Sequence, residues 1–128
     1  MHVMVVDDEA DIVRLNSIIF EIHNHKTTKA SSGGECLKKL DEGARPDVIL
    51  LDVMMPGING LDTCKRIKAD ERFKHIPVVI LSAKTESAEV EKGIQAGAAD
   101  YLIKPIDPYE LLKKVENYAS VARASVKK

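Results

Sequence analysis

Short apolar runs alternate along this chain with longer stretches in which apolar positions recur every three or four residues. The runs are Val3 to Val6, Val48 to Leu51, Val78 to Leu81 and Ala99 to Ile103. Their length and β-branched content fit strands, and the stretches between them fit amphipathic helices, so the predicted order is βαβαβαβαβα. The first strand covers roughly His2 to Asp7. The first helix runs from about Ala10 to His23, with Ile12, Val13, Leu15, Ile18, Ile19 and Ile22 as a broad apolar face. Lys26 to Ala30 is short, polar and threonine-containing, as an edge strand should be, and Ser31-Ser32-Gly33-Gly34 reads as a turn into a helix through Leu40.

Pro46 precedes Asp47-Val48-Ile49-Leu50-Leu51-Asp52, a continuous run suited to a central parallel strand covered on both faces. The turn formers of 54–60 predict a loop leading to a third helix from about Leu61 to Ala69. Pro77 opens the fourth strand. Thr85 is expected to cap a fourth helix that reaches about Ala96 and stops at Gly97. Asp107-Pro108 pairs an N-cap with a proline at the first helical position, and Leu111, Leu112, Val115, Tyr118, Ala119 and Ala122 supply the buried face of the last helix.

The polar chemistry collects where the predicted strands end. Asp7 and Asp8 follow the first, Asp52 the third, Ser82 the fourth and Lys104 the fifth. In a parallel α/β sheet the carboxyl ends of the strands form the ligand crevice, so these scattered side chains can converge there. Carboxylates facing one ammonium point to a divalent cation and a phosphoryl group. Taken singly, each residue has a plainer reading: a cap or turn for the aspartates, a solvated charge for Lys104, a hydroxyl bonded to nearby backbone for Ser82.

Composition narrows the partners. With 19 basic and 20 acidic residues in 128, no broad field favours nucleic acid or an anionic membrane, and recognition is expected to be local. Cys36 and Cys64 lack metal-ligand spacing and read as buried thiols of a reducing cytoplasm. No apolar run approaches the ~20 residues of a spanning helix, and no basic and apolar leader precedes the first strand. A cytoplasmic domain over 1–120 is expected, with 121–128 as the end of the last helix or the start of a linker. His23 and His25, at a helix end, read as surface polar residues rather than a metal pair.

Four motifs, each at a different strand end, carry a resemblance that covers nearly the whole chain: Val5-Val6-Asp7-Asp8-Glu9, Leu50-Leu51-Asp52-Val53-Met54-Met55-Pro56 with Gly60, Leu81-Ser82-Ala83, and Gly97-Ala98-Ala99-Asp100-Tyr101-Leu102-Ile103-Lys104-Pro105. The chain resembles the receiver domain of two-component response regulators. The resemblance implies a flavodoxin-like, doubly wound α/β fold, with five parallel strands in the order 2-1-3-4-5 flanked by five helices. It implies that Asp52 accepts a phosphoryl group from a histidine kinase or phosphotransfer protein. Magnesium would be held by Asp8, Asp52 and the backbone carbonyl of Met54, with Asp7 acting mainly through a bound water. Lys104, aimed by a cis bond to Pro105, would face the acyl phosphate. Ser82 and Tyr101 would form a switch pair, and the fourth helix, fifth strand and fifth helix a face for a homodimer or effector. Lys84, Glu86, Glu89, Lys92, Gln95 and Lys113 are its candidate exposed positions. Such a domain is not an enzyme beyond its own phosphotransfer and dephosphorylation, and direct contact with nucleic acid or membrane is not expected.

Three other functions compete. An aspartyl phosphatase of the haloacid dehalogenase kind needs a second aspartate two residues after the nucleophile, where this chain has Met54. A flavodoxin-like cofactor protein of the same architecture needs a glycine- or hydroxyl-rich phosphate loop after the first strand, where Asp8-Glu9-Ala10-Asp11 would repel a phosphate. A receiver-shaped module that is never phosphorylated stays open.

Overall fold

The computed structural model describes residues 1–53 and 59–126, and side chains as far as Val121. Five strands and five helices alternate: β1 (His2–Val6), α1 (Ala10–Ile22), β2 (Lys26–Ala30), α2 (Gly33–Asp41), β3 (Val48–Leu51), α3 (Gly60–Ala69), β4 (Val78–Ser82), α4 (Ser87–Gln95), β5 (Asp100–Ile103) and α5 (Pro108–Val126). The strands form one parallel sheet in the order β2-β1-β3-β4-β5, as expected. The polar strand Lys26–Ala30 does lie at an edge. The loop predicted over 54–60 and the apolar position Ala122 fall wholly or partly outside the described residues.

Successive strand side chains point to opposite faces, which splits the apolar runs into two cores. Val3, Val5, Val48, Leu50, Val79 and Leu81 face α1 and α5, where they meet Val13, Phe20, Leu111, Leu112 and Val115. Met4, Val6, Ile49, Leu51 and Ile80 face the other side, where Cys36 and Leu40 of α2 and Cys64 and Ile67 of α3 cover them. Both cysteines are free and buried, and burial pushes the Cys36 thiol up to about 12. They are core residues.

Two expectations are corrected. The buried stripe of α1 is Val13, Ser17 and Phe20, whereas Leu15, Ile18 and Ile22 are 60, 43 and 67 % exposed. At 100° per residue those three lie on the side of the helix opposite Val13, Ser17 and Phe20, so α1 carries apolar residues on both faces and only one can meet the sheet. Thr85 does not cap α4: the helix begins at Ser87, its N-cap position is Glu86, and no side chain caps it. The Asp107 cap is present, its Oδ2 accepting from the Glu110 N–H at 3.1 Å. His25 is paired with Glu116 of α5 at 2.7 Å, and His23 packs edge-on against Tyr109.

Candidate functional site

β1 and β3 are neighbours and run the same way, so Asp7 and Asp52 emerge side by side at their carboxyl ends. The Asp7 N–H donates to the Ala30 carbonyl at 3.2 Å and the Asp52 N–H to the Val6 carbonyl at 3.0 Å, which continues the ladder one residue past each strand. Asp7 Oδ1 accepts from the Glu9 N–H at 3.0 Å. That short loop, closed by a side chain, turns the backbone into α1 and leaves Oδ2 free to face inward.

Lys104 reaches the pair from the end of β5. Its Nζ donates to Asp7 Oδ2 at 3.0 Å and to Asp52 Oδ2 at 3.1 Å. The Lys104 N–H also donates to the Ser82 carbonyl at 2.8 Å, which ties the stem to β4, and the Lys104–Pro105 bond is cis, as expected. Asp7 and Asp52 are 3 and 5 % exposed, whereas Asp8 is exposed. Burial alone would lower the Lys104 pKa, but the hydrogen bonds and charges of Asp7 and Asp52 outweigh it and raise the pKa.

One carboxylate oxygen from each of Asp7, Asp8 and Asp52 lies within 4.8 Å of the others. Two unit charges at that spacing repel by about 3.5 kcal/mol at an effective dielectric constant of ~20. Clustered carboxylates of one sign favour a divalent cation among them, in addition to the Lys104 ammonium. The donors are hard oxygens, one of them at the exposed rim, and this suits magnesium, which takes one or two carboxylates and keeps several waters. Met54, expected to add its carbonyl, lies outside the described residues.

Ser82 and Tyr101 belong to a second network. The Ser82 hydroxyl, fully buried, accepts from the Lys84 N–H at 3.1 Å, and the Tyr101 hydroxyl donates to the Lys84 carbonyl at 3.0 Å. Tyr101 is 8 % exposed, with its ring turned inward. Glu86, Lys92, Gln95 and Lys113 are exposed on the predicted output face, Lys84 and Glu89 are half-buried, and Ile94 and Ile103 add exposed apolar surface.

Two glycines matter in ways the motifs did not reveal. A Cβ on Gly60 would stand 2.4 Å from Val53 Cα and 2.5 Å from the Asp52 carbonyl oxygen, so the start of α3 rests directly on the Asp52 peptide. Asn59 caps that helix, accepting from the Asp62 N–H at 2.9 Å. The other glycine, Gly93, faces Tyr101. An Asn-Gly pair before an amphipathic stretch is a legible helix start, but its contact with β3 is not legible in sequence.

The response regulator receiver domain family matches residues 3–116. Among curated relatives, the chain is 38 % identical over 114 residues to the DNA-binding response regulator MtrA of Mycolicibacterium paratuberculosis, covering 89 % of this chain and 49 % of that protein. It is 41 % identical over 123 residues to the transcriptional regulatory protein ResD of Bacillus subtilis, covering 96 % of this chain and 49 % of that one. The chain thus spans about half the length of these relatives. Among solved structures, a response regulator from Chloroflexus aurantiacus described as putative superposes with a TM-score of 0.87 at 31 % identity, covering 93 % of this chain and 97 % of that one. The chemotaxis protein CheY4 of Vibrio cholerae gives 0.85 at 31 % identity, covering 91 and 97 %. A match over nearly every strand and helix, to proteins sharing this fold, leaves one conclusion: the chain belongs to the receiver domains of two-component response regulators.

Proposed function

We propose that Asp52 is the phosphoacceptor of this receiver domain. The observation that carries the reading is a buried carboxylate at the end of the central strand, whose Oδ2 accepts from Lys104 Nζ at 3.1 Å beside two further carboxylates. A carboxylate oxygen of Asp52 attacks the phosphorus of a phosphohistidine on the donor protein. The P–N bond breaks, the imidazole leaves with its electron pair, and an acyl phosphate forms. The protein needs no general base, because a carboxylate nucleophile carries no proton that must be removed.

Positioning and charge neutralisation are then the catalysis. Lys104 holds its ammonium against both buried carboxylates and is placed to meet the incoming phosphoryl oxygens. Asp8 and Asp52, with the Met54 carbonyl and with Asp7 mainly through a bound water, would hold magnesium, which would supply electrostatic neutralisation of the transferring group. Ser82 donates to a phosphoryl oxygen and transmits the change through Lys84 to Tyr101. Pro105 orients Lys104. Hydrolysis of the acyl phosphate by water resets the domain, so no other enzymatic activity is assigned.

The partners are a histidine kinase or phosphotransfer protein on the donor side. On the output side, an effector or a second copy meets the α4, β5 and α5 face. MtrA is described as DNA-binding; that property is MtrA's, and the near balance of 19 basic and 20 acidic residues here supports recognition by protein contacts instead. Among the described residues no helix is long and apolar enough to cross a membrane, which is compatible with a cytoplasmic site of action. Residues 1–120 form the working unit, and α5 continues beyond them to Val126.

Intact mass after incubation with a small phosphodonor and magnesium tests the assignment. A single phosphoryl gain, absent in Asp52→Asn and without magnesium, is expected. No gain in the native chain would favour a module that works without phosphorylation.

A further inference from the structure

Tyr101 meets α4 where the helix has no side chain. Gly93 is buried in the last turn of α4, and a Cβ there would stand 2.8 Å from Tyr101 Cδ2, 3.3 Å from its Cε2 and 3.0 Å from Ile80 Cδ1. The Ile80 contact involves the end of a flexible side chain and is relieved by a rotamer change. The ring contact is different. Its near edge is the clashing part, while its hydroxyl is held by the Lys84 carbonyl, so the ring cannot slide aside and keep that bond.

Glycine is a poor residue for the interior of a nine-residue helix that lacks a side-chain cap. What fills the gap it leaves is the tyrosine ring. Lys84 lies between the two ends of the network, its N–H on Ser82 Oγ and its carbonyl on Tyr101 Oη.

We propose that Gly93 is a positioning residue for the switch: the notch it leaves in α4 seats the Tyr101 ring inward, and a side chain there turns the ring to solvent. Loss of the seat also removes the Tyr101 tie to Lys84, and so weakens the link from Ser82 to the α4 and β5 surface. The seat depends only on packing; its signalling consequence rests on the reading of Asp52 as phosphoacceptor. If binding at Asp52 favours the inward ring, a substitution that disfavours that state must weaken binding by the same factor.

The test labels the three tyrosines, Tyr101, Tyr109 and Tyr118, as 3-fluorotyrosine and follows each fluorine resonance with a soluble paramagnetic agent. In the native chain the exposed Tyr109 is broadened and Tyr101 is protected. In Gly93→Ala the Tyr101 resonance becomes broadened while Tyr118 is unchanged, and half-saturation by beryllofluoride with magnesium, read from the rise in melting temperature, needs a several-fold higher concentration than in the native chain. A Tyr101 that stays protected in Gly93→Ala overturns the proposal, as does Tyr101 exposure with unchanged beryllofluoride dependence. An ordinary helical glycine would give the first of these results together with a more stable protein. Should Gly93→Ala not fold, the double variant Gly93→Ala with Tyr101→Ala decides: recovery of cooperative melting assigns the clash to the ring, and no recovery overturns it. A native chain that gains no phosphoryl mass would remove the role of Asp52 and still leave the tyrosine exposures readable.

Discussion

Lys104 is the residue on which the charge balance of the site turns. It is the ammonium shared by two buried carboxylates, with a side chain about one-fifth exposed. Replacing one partner of a buried pair leaves uncompensated charge, and partial solvation lessens the cost. Lys104→Met is expected to lower stability by about 1–3 kcal/mol in denaturant titration without metal, and magnesium should recover more stability in the variant than in the native chain. Equal recovery would mean that Lys104 and the cation do not answer the same charge. Away from the site, the Tyr118 hydroxyl donates to Asp100 at 2.7 Å, and that bond, with some burial, raises the Tyr118 pKa. The folded chain therefore holds the phenol proton more tightly than the unfolded one. Its contribution is complete below about pH 10, the ordinary tyrosine value, and is lost as pH rises through the raised one. Tyr118→Phe should cost on the order of 0.5–1 kcal/mol at pH 7 and less at pH 11; an equal cost at both pH values would refute the pairing.

At the scale of elements, the approach of α3 to β3 is set by Gly60. Its neighbours are backbone atoms of Asp52 and Val53, which cannot rotate away, so even a methyl group must move the helix or the strand end. Gly60→Ala is expected to cost about 1–3 kcal/mol and to slow phosphoryl uptake in the intact-mass assay. Normal uptake in a destabilised variant would show that the helix, and not the Asp52 peptide, had shifted. Most elements were legible in sequence, because strand length and helical period are local properties. The polar edge strand Lys26–Ala30 and the Asp107 cap appear as expected. The face of α1 was not legible. Ile12, Val13, Leu15, Ile18, Ile19 and Ile22 spread too far around the helix for periodicity to choose a side, and the sheet chose the one bearing Val13, Ser17 and Phe20. Thr85 failed as a cap because the helix starts at Ser87, which puts the N-cap position on Glu86, one residue later than expected.

At the scale of the whole molecule, the acidic end of the sheet couples stability to a cation. A ligand that binds only the folded chain stabilises it by about 2.7 kcal/mol at a hundredfold excess over its Kd, which for a domain of this size moves Tm by on the order of 10 °C. Magnesium should raise the Tm of the native chain and raise it less in Asp52→Asn. An unchanged Tm at saturating magnesium would argue against a formed metal site. The topology explains why the effect is global: the residues concerned come from β1, β3 and the end of β5, so a cation bound among them is tied to much of the sheet order.

The residue types at the strand ends, the alternation of strands and helices and the near-neutral charge are all properties of the sequence alone, since each depends on local composition and period. Asp7, Asp8, Asp52 and Lys104 were visible there as candidates. That one ammonium lies 3.0 and 3.1 Å from two buried carboxylates was decided only by the fold, because strand order sets which distant strand ends become neighbours. The same holds for Gly60 against the Asp52 peptide and Gly93 beneath the Tyr101 ring: a glycine in sequence shows freedom, and only packing shows what occupies the space it leaves.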